Sequence, residues 1–275
     1  MLHVLRQLGS TPEIRAVLQA CLLGDIEQTC VEFKEMGQHA QQLRTGESLP
    51  VGSVEYVREA MRVAEIVEPA NMSYPRNLEP YLHRDVRRRN AGHVLGTWFV
   101  KPVLTKTFTG LVFDTMQKVE TLSEHDREQH ALFLAMDSAD EVWVSEPVSW
   151  VSEVRYYLLN GEIVGRVRYD PDGADDAKLP DEAVCTAAVA DLKTEFGADV
   201  TCSLDMGVLS TGETALVEAN DAWALGNYGR TLKPSVYLEM LISRWRQICP
   251  LSIIQEELDG DSDPSGRHWS ASSQT

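Results

Sequence analysis

The chain has 275 residues and a formal net charge of −17, because 42 Asp and Glu residues outnumber 25 Lys and Arg residues. This acidic balance argues against binding to nucleic acids or anionic membranes, since both need a broad cationic surface. Apolar residues make up 43% of the sequence and charged residues 24%, as in a folded protein of one large or two small domains. The five cysteines lack any CxxC spacing, no run is apolar enough to span a membrane, and no signal peptide is recognised, so we expect a cytoplasmic protein.

The first eighty residues alternate short apolar runs with helical patterns. Helices are predicted over 13–23 and 53–66. The second is the clearer, because Ser53 can cap it and its apolar residues recur at helical spacing. Those residues are Val54, Val57, Met61 and Ala64. The helix-breaking prolines that follow, and that predict a connector, are Pro69, Pro75 and Pro80.

Strands and hairpins dominate from residue 81 onward. The predicted elements are strands over 98–100 and 111–113, helices over 124–136, 181–196 and 235–249, a hairpin over 154–168 that turns at Asn160-Gly161, and a hairpin over 200–219 that turns at 210–213. Hairpins mixed with helices favour an α+β architecture over a regular βαβ repeat. We expect an N-terminal region over 1–80, a larger domain over 81–255 and a disordered polar tail over 256–275.

The second hairpin carries the strongest chemical signal. A turn centred on Thr211-Gly212 places Asp205 directly opposite Glu218, and alternation puts Asn220 on the same face. Facing carboxylates repel each other unless a cation intervenes, and with an amide oxygen they suit Mg²⁺ or Mn²⁺. The alternative is the exposed acidic face of an ordinary hairpin, and a one-residue bulge would break the register.

The first hairpin gathers basic side chains. A two-residue turn at its centre would place Arg155 opposite Arg166, a pairing that is unfavourable unless an anion such as phosphate lies nearby. It would also place Glu153 opposite Arg168, which is most simply a surface ion pair. Solvent exposure is the simpler interpretation of the two arginines.

Residues 84–106 contain six basic residues and one acid, Asp85, in an otherwise acidic chain. Lys101 ends an apolar strand, and the polar loop 105–110 follows it. A lysine beside a loop of hydroxyls and backbone N–H groups is a plausible phosphate cradle. For the run from Arg87 to Arg89, a solvated basic helix is the simpler interpretation.

In chain order these segments resemble the ATP-grasp superfamily. The motifs are FVKPVLTKTFTG (99–110), VWVSEPVSWVSEVRYYLLNGEIVGRVRYD (142–170) and SLDMGVLSTGETALVEANDAWALGNYG (203–229). The resemblance covers roughly residues 81–250 and is greatest to a small arginine- and lysine-bearing clade of bacterial and phage proteins. It implies an α+β ATP-grasp fold, in which two α+β subdomains with antiparallel sheets grip ATP, preceded by a short N-terminal α/β region.

The resemblance also implies roles for individual residues. Lys101 matches the strand lysine that contacts the ATP phosphates, and Lys106 would lie in the flap over them. The Mg²⁺ (or Mn²⁺) ligands would be Asp205, Glu218 and Asn220. The other expected roles are the adenine hinge at Glu146, Pro147 and Val148, the ribose-binding acid Glu153, a contact with the transferred phosphoryl group from Arg155 or Arg168, and a further phosphate or substrate contact from Arg84.

The resemblance leads us to expect an ADP-forming, ATP- and Mg²⁺-dependent carboxylate–amine (or carboxylate–thiol) ligase that acts through an acyl phosphate. Lys101, Lys106 and an arginine would neutralise the charge that develops on the γ-phosphoryl group. The partners would be a small-molecule or peptide carboxylate and an amine acceptor, with no nucleic acid and no membrane.

Two further expectations stay open at this point. Because the region before the core is short, a partner subunit could complete the acceptor site, so an oligomer is compatible with the sequence. The alternative functions are a small-molecule kinase of the same fold, a non-catalytic nucleotide-binding module, and an acidic interaction protein whose hairpins carry ordinary surface charge.

Overall fold

The structure is a computed structural model that describes residues 2–104, 107–170, 174 and 176–249. Lys106 and the predicted polar tail lie outside the described residues. Within them, the strands form one parallel and two antiparallel sheets, which confirms the expected α+β class. None of the helices in these ranges is long and apolar enough to cross a membrane, and the five cysteines are free thiols.

The first sheet is parallel and three-stranded, with β1 (His3–Arg6) between β2 (Glu27–Cys30) and β3 (Ser48–Val51). The helices of this region are α1 (Pro12–Leu23), α2 (Ala40–Arg44) and α3 (Val54–Ala64). The Ser53 hydroxyl accepts a hydrogen bond from the Tyr56 N–H and so caps α3. The predicted helical stripe in α3 is confirmed, because its members are buried: Val54, Val57, Met61 and Ala64.

The second sheet is antiparallel, in the spatial order β4, β7, β5, β6. Its elements are β4 (Val86–Asn90), β5 (Thr97–Pro102), β6 (Leu111–Asp114), β7 (Glu141–Ser145) and the helix α4 (Glu124–Leu134). The two predicted apolar strands are therefore present as β5 and β6. Phe113 of β6 and Phe133 of α4 pack edge to face, with ring centroids 4.9 Å apart, in the core of this unit.

The run from Arg87 to Arg89 lies on β4, so its interpretation as a solvated helix is wrong. The guanidinium carbon of Arg88 lies 4.7 Å from the ring centroid of Trp143 on the neighbouring strand. Those of Arg87 and Arg89 lie 5.4 and 5.1 Å from the centroid of Trp98. Cation–π contacts and the apolar stems of these side chains over the two rings favour a strand at the sheet edge.

The third sheet is antiparallel, in the order β11 (Thr214–Asp221), β10 (Cys202–Leu209), β8 (Trp150–Leu159), β9 (Glu162–Arg168). Both predicted hairpins are present, and the helix α5 (Glu182–Phe196) lies between them in sequence. Asp181 caps α5 by accepting hydrogen bonds from the N–H groups of Ala183 and Val184. The last helix is α6 (Pro234–Ile248).

The first hairpin keeps the predicted turn but not the predicted register. Asn160 and Gly161 both have positive φ, 50° and 73°, as a two-residue turn requires. A bulge at Val164 then shifts the pairing by one residue, so that Arg155 faces Val167 and Arg166 faces Tyr156. The predicted pairs Arg155–Arg166 and Glu153–Arg168 are therefore wrong.

The second hairpin departs from the prediction twice, and the two departures cancel. Its loop is one residue longer than a two-residue turn, because the Leu209 N–H donates to the Glu213 carbonyl. A bulge at Val217 then shifts the register back by one residue. Asp205 consequently pairs with Glu218, as the sequence analysis expected.

The two faces of the third sheet pack into different cores. On one face Tyr156 and Leu204 pack with α5. On the other face Tyr157 packs with Trp245 of α6 and with the core of the first sheet. Arg155 and Asp205 alternate onto this second face, where polar side chains take the place of apolar ones near the second sheet. The domain boundaries at residues 80 and 255 remain predictions.

Candidate functional site

Five predicted site residues meet where β5 of the second sheet approaches the third sheet. Lys101 comes from β5, Arg155 from β8, Asp205 from β10, and Glu218 and Asn220 from β11. The register places Asp205 between its cross-strand partners Arg155 and Glu218. Hydrogen bonds and ion pairs join all five side chains, which we call the charge cluster.

A buried bidentate ion pair forms the centre of the charge cluster. Nε and Nη2 of Arg155 donate to the two carboxylate oxygens of Asp205 at 2.7 and 2.6 Å. Only 4% of the arginine side chain and 2% of the aspartate side chain are exposed. Burial alone would lower the pKa of Arg155, but the hydrogen bonds to Asp205 outweigh burial and raise the pKa above its ordinary value.

A second ion pair connects the two antiparallel sheets. Nζ of Lys101 donates to Oε2 of Glu218 and, at 2.9 Å, to the hydroxyl of Ser73. Burial lowers the pKa of Lys101 to about 8, although the charge of Asp205 opposes that shift. Asn220 joins both carboxylates, because its Nδ2 donates to Asp205 Oδ2 at 3.2 Å and to Glu218 Oε1 at 2.9 Å.

The donor set of the charge cluster fits a hard divalent cation. Asp205 and Glu218 accept hydrogen bonds from one nitrogen atom, so a carboxylate oxygen from each lies beside the same point. Carboxylate and amide oxygens are ligands that Mg²⁺ accepts. No group of three His, Cys, Asp or Glu side chains is placed to hold a metal in the part of the chain that the structure describes. A three-ligand protein site here would therefore depend on the amide oxygen of Asn220 as well as on the two carboxylates.

Glu153 and Arg84 border the charge cluster. Burial raises the pKa of Glu153 to about 7, and the negative charges of Asp205 and Asp170 add to that shift. Burial lowers the pKa of Arg84. The guanidinium carbon of Arg84 lies 5.3 Å from the ring centroid of Trp150, at the start of β8. The roles of Glu153 at a ribose and of Arg84 at a phosphate stay predictions.

The predicted adenine hinge lies in the link between β7 and β8, and therefore between the two antiparallel sheets. This link contains Glu146, Pro147 and Val148. Glu146 is held at both ends, because its carboxylate accepts from the Asp85 N–H at 3.0 Å and its carbonyl accepts from the Ser145 hydroxyl at 3.1 Å. Hydrogen bonding of this link to adenine stays a prediction.

Arg168 does not join the charge cluster in the described contacts. Its cross-strand partner is Val154, which faces away from Arg155. Its Nε and Nη2 bind the carboxylate of Asp170 at 2.7 and 2.8 Å. Arg166 lies on the same outer face, where it forms an ion pair with Glu182 at the start of α5. Of the two arginines predicted to face a phosphoryl group, only Arg155 lies in the cluster.

Two tyrosines that the sequence analysis did not select enclose Arg155. The ring centroids of Tyr169 and Tyr228 lie 4.5 and 4.7 Å from its guanidinium carbon, and the two rings meet edge to face. Tyr169 lies two residues after Val167, the cross-strand partner of Arg155, so strand alternation predicts its position once the register is known. Tyr228 has no such local signal.

Residues 81–240 match the model of an ATP-grasp domain family, family 2 of the arginine- and lysine-bearing clade. The matched range is more than half of the chain and contains the whole charge cluster. The chain therefore belongs to the ATP-grasp proteins and, within them, to the second family of that clade. This membership confirms the resemblance and the fold that the motifs implied.

Solved structures of similar fold include three ligases or synthetases. D-cycloserine synthetase DcsG is 15% identical, with a TM-score of 0.53 over 90% of this chain and 99% of that one. N5-carboxyaminoimidazole synthetase from Staphylococcus aureus is 9% identical, with a TM-score of 0.54 over 88% and 77%. D-alanine–D-alanine ligase from Bacillus anthracis is 14% identical, with a TM-score of 0.50 over 94% and 100%. A search of curated protein sequences found no match.

Proposed function

We propose that this protein is an ATP- and Mg²⁺-dependent ligase that joins a small-molecule or peptide carboxylate to an amine (or thiol). One observation carries the proposal: two carboxylates, an amide and two cations converge between two antiparallel sheets of an ATP-grasp protein. The printed names of two neighbours in fold, D-cycloserine synthetase and D-alanine–D-alanine ligase, support bond formation as the reaction class. The free thiols support a cytoplasmic location.

The proposed reaction has two steps. A carboxylate oxygen of the substrate attacks the γ-phosphorus of ATP, the bond to the β–γ bridging oxygen breaks, and ADP leaves. The acceptor nitrogen then attacks the acyl carbon, inorganic phosphate leaves, and the nitrogen releases a proton. A bound divalent cation would neutralise charge on the β- and γ-phosphates. Positioning and charge neutralisation by the protein would provide most of the rate enhancement.

The charge cluster supplies the groups that this reaction needs. Lys101 and Arg155 place positive charge where the polyphosphate would lie. Asp205 fixes the orientation of Arg155 through two parallel hydrogen bonds, so the guanidinium is preorganised. Asp205 and Glu218, with Asn220, would hold the divalent cation. The link of residues 146–148 would bind adenine, Glu153 the ribose, and Lys106 would lie over the phosphates.

A screen for ADP release tests the proposal, with amino acids and peptides as candidate substrates and mass spectrometry of the products. We expect ADP to form only when a carboxylate and an acceptor are both present, together with a ligated product. A phosphorylated product without ligation would indicate a kinase. Nucleotide binding without turnover on any substrate would indicate a binding module.

The metal assignment has its own test. Asp205→Ala combined with Glu218→Ala should abolish Mg²⁺-dependent ADP formation. A matched control replaces two acids on exposed strand positions, Glu141→Ala with Glu162→Ala, because 52% and 79% of their side chains are exposed. The control should keep wild-type activity. Undiminished ADP formation in the Asp205 and Glu218 double variant would refute the metal site.

A further inference from the structure

The bulge at Val217 decides which side chains β11 presents to the charge cluster. On the turn side of the bulge Met206 pairs with Leu216, and on the far side Asp205 pairs with Glu218, so Val217 has no partner in the ladder. If Val217 entered the ladder, it would face Asp205, and Glu218 would face Leu204, whose side chain lies in the apolar core. Glu218 and Asn220 therefore face Asp205 only while the bulge persists.

Arg84 holds this bulge through its backbone carbonyls. Nη1 of Arg84 donates to the carbonyl of Leu216 at 2.8 Å, and Nη2 donates to the carbonyl of Val217 at 3.2 Å. Because β11 is the edge strand of its sheet, no further strand in the described residues supplies donors to these carbonyls. A planar guanidinium can bind two successive carbonyls at once, whereas a lysine presents a single point of charge.

Arg84 is itself fixed by its surroundings. Nη1 also donates to the carbonyl of Leu82 at 3.0 Å, and the guanidinium lies over the rings of Tyr74 and Trp150, 5.9 and 5.3 Å from their centroids. The preceding residue, His83, has a φ of 49°, a left-handed conformation that is uncommon outside glycine. The same part of the chain holds β11 beyond the bulge, because the Ala219 N–H donates to the Ser73 carbonyl at 2.9 Å.

We propose that Arg84 is a positioning residue for the divalent cation. By holding the bulge at Val217, Arg84 keeps Glu218 and Asn220 on the face of Asp205. This inference rests on the proposed function, since it concerns the predicted metal ligands. It differs from the role that the resemblance implies, a direct phosphate or substrate contact, because the guanidinium directs Nη1 and Nη2 to backbone carbonyls.

Calorimetric titration with the non-hydrolysable nucleotide AMPPNP separates the two roles. Each protein is titrated in Mg²⁺ and in EDTA, and the ratio of the two affinities is the Mg²⁺ enhancement. For Arg84→Lys we expect the enhancement to fall at least tenfold, while the affinity in EDTA stays within twofold of wild type. A comparable loss of affinity in EDTA would overturn the inference in favour of a phosphate contact. Arg88→Lys, on the exposed face of β4, is the control and should change neither value.

Two further variants test the mechanism through Glu218 and through the bulge. Glu218→Gln keeps the size of the side chain, and in that background Arg84→Lys should cause no further loss of enhancement. Additive losses would contradict action through Glu218. Deletion of Val217 removes the unpaired residue and leaves Glu218 opposite Asp205 in a regular ladder. In the Arg84→Lys background this deletion should restore the enhancement to within threefold of wild type, and a folded variant without restoration would contradict the inference.

The wild-type titration distinguishes failure of the inference from failure of the proposed function. If wild-type protein binds AMPPNP no more tightly in Mg²⁺ than in EDTA, the proposed function fails and the inference falls with it. If wild-type protein shows the enhancement and folded Arg84→Lys retains it, only the inference is overturned. Circular dichroism and the thermal midpoint of each variant establish that it is folded.

Discussion

Removing one partner of the buried ion pair Arg155–Asp205 should destabilise the protein strongly. Asp205→Asn keeps the size of the side chain and removes its charge, so the guanidinium of Arg155 stays buried without a counter-ion. Loss of one partner of a buried pair costs about 3–5 kcal/mol. Asparagine still offers one acceptor oxygen to the two donors, now 2.7 and 2.6 Å from the carboxylate, so we expect the lower end, about 3 kcal/mol.

A matched control has the same geometry at the surface. Arg62 binds both oxygens of Glu59 at 2.7 Å, with 70% and 24% of the two side chains exposed. An exposed pair at this helical spacing contributes about 0.3–0.5 kcal/mol, so Glu59→Gln should be nearly neutral. For a chain of this size, about 2–4 °C of thermal midpoint corresponds to 1 kcal/mol. We therefore expect a fall of about 6–12 °C for Asp205→Asn and of about 1–2 °C for Glu59→Gln.

Urea denaturation followed by circular dichroism measures both variants under the same conditions. A third variant, Arg155→Met with Asp205→Leu, removes both charges and should be more stable than Asp205→Asn, because no buried charge is left unpaired. Equal losses for Asp205→Asn and Glu59→Gln would refute the argument from burial. A double variant as unstable as the single one would refute the argument from the stranded charge.

Three further predictions concern groups around the charge cluster and in the hairpins. Because burial raises the pKa of Glu153 from 4.5 to about 7, the folded state holds its proton more tightly; relative to Glu153→Gln, wild type should lose stability as the pH rises from 4.5 through 7, and urea denaturation at pH 5 and pH 8 measures this. Gly161→Ala should cost about 2–3 kcal/mol, because the new Cβ would lie 2.2 Å from the Ala198 carbonyl oxygen; Gly212→Ala, also at positive φ but with no heavy atom within 4 Å, should cost about 1 kcal/mol by the same assay. Tyr228→Leu should cost about 1 kcal/mol, and Tyr228→Phe should retain most of the lost stability because its ring stays over the guanidinium; equal thermal midpoints would contradict the cation–π contact.

The sequence predicted the features that depend on local periodicity. The stripe of α3, the turn at Asn160-Gly161 and both hairpins follow from spacing within a few residues. The pairing of Asp205 with Glu218 was also predicted, but through a two-residue turn that the structure replaces with a longer loop and a bulge. A bulge depends on what contacts the strand from outside, here Arg84, and such a contact leaves no mark on the periodicity of β11.

The partner of Arg155 was beyond the reach of local patterns. The sequence analysis looked for it across the first hairpin, whereas it lies on β10, which pairs with β8 although α5 separates the two strands in sequence. Pairing between distant strands is set by packing of the whole sheet rather than by a turn. Arg88 shows a related limit, because its run of arginines suits a solvated helix until the ring of Trp143 on the neighbouring strand is in place.

The charge cluster carries its own counter-ions, since each acid already has a base: Asp205 with Arg155, and Glu218 with Lys101. A magnesium polyphosphate that enters this cleft would therefore take part in an ion exchange, in which the metal takes the carboxylates and the phosphates take the arginine and the lysine. Either ligand alone would strand one sign of charge in a buried setting. The two should consequently bind with positive cooperativity, and the affinity should reflect the small difference between old and new pairs rather than their sum.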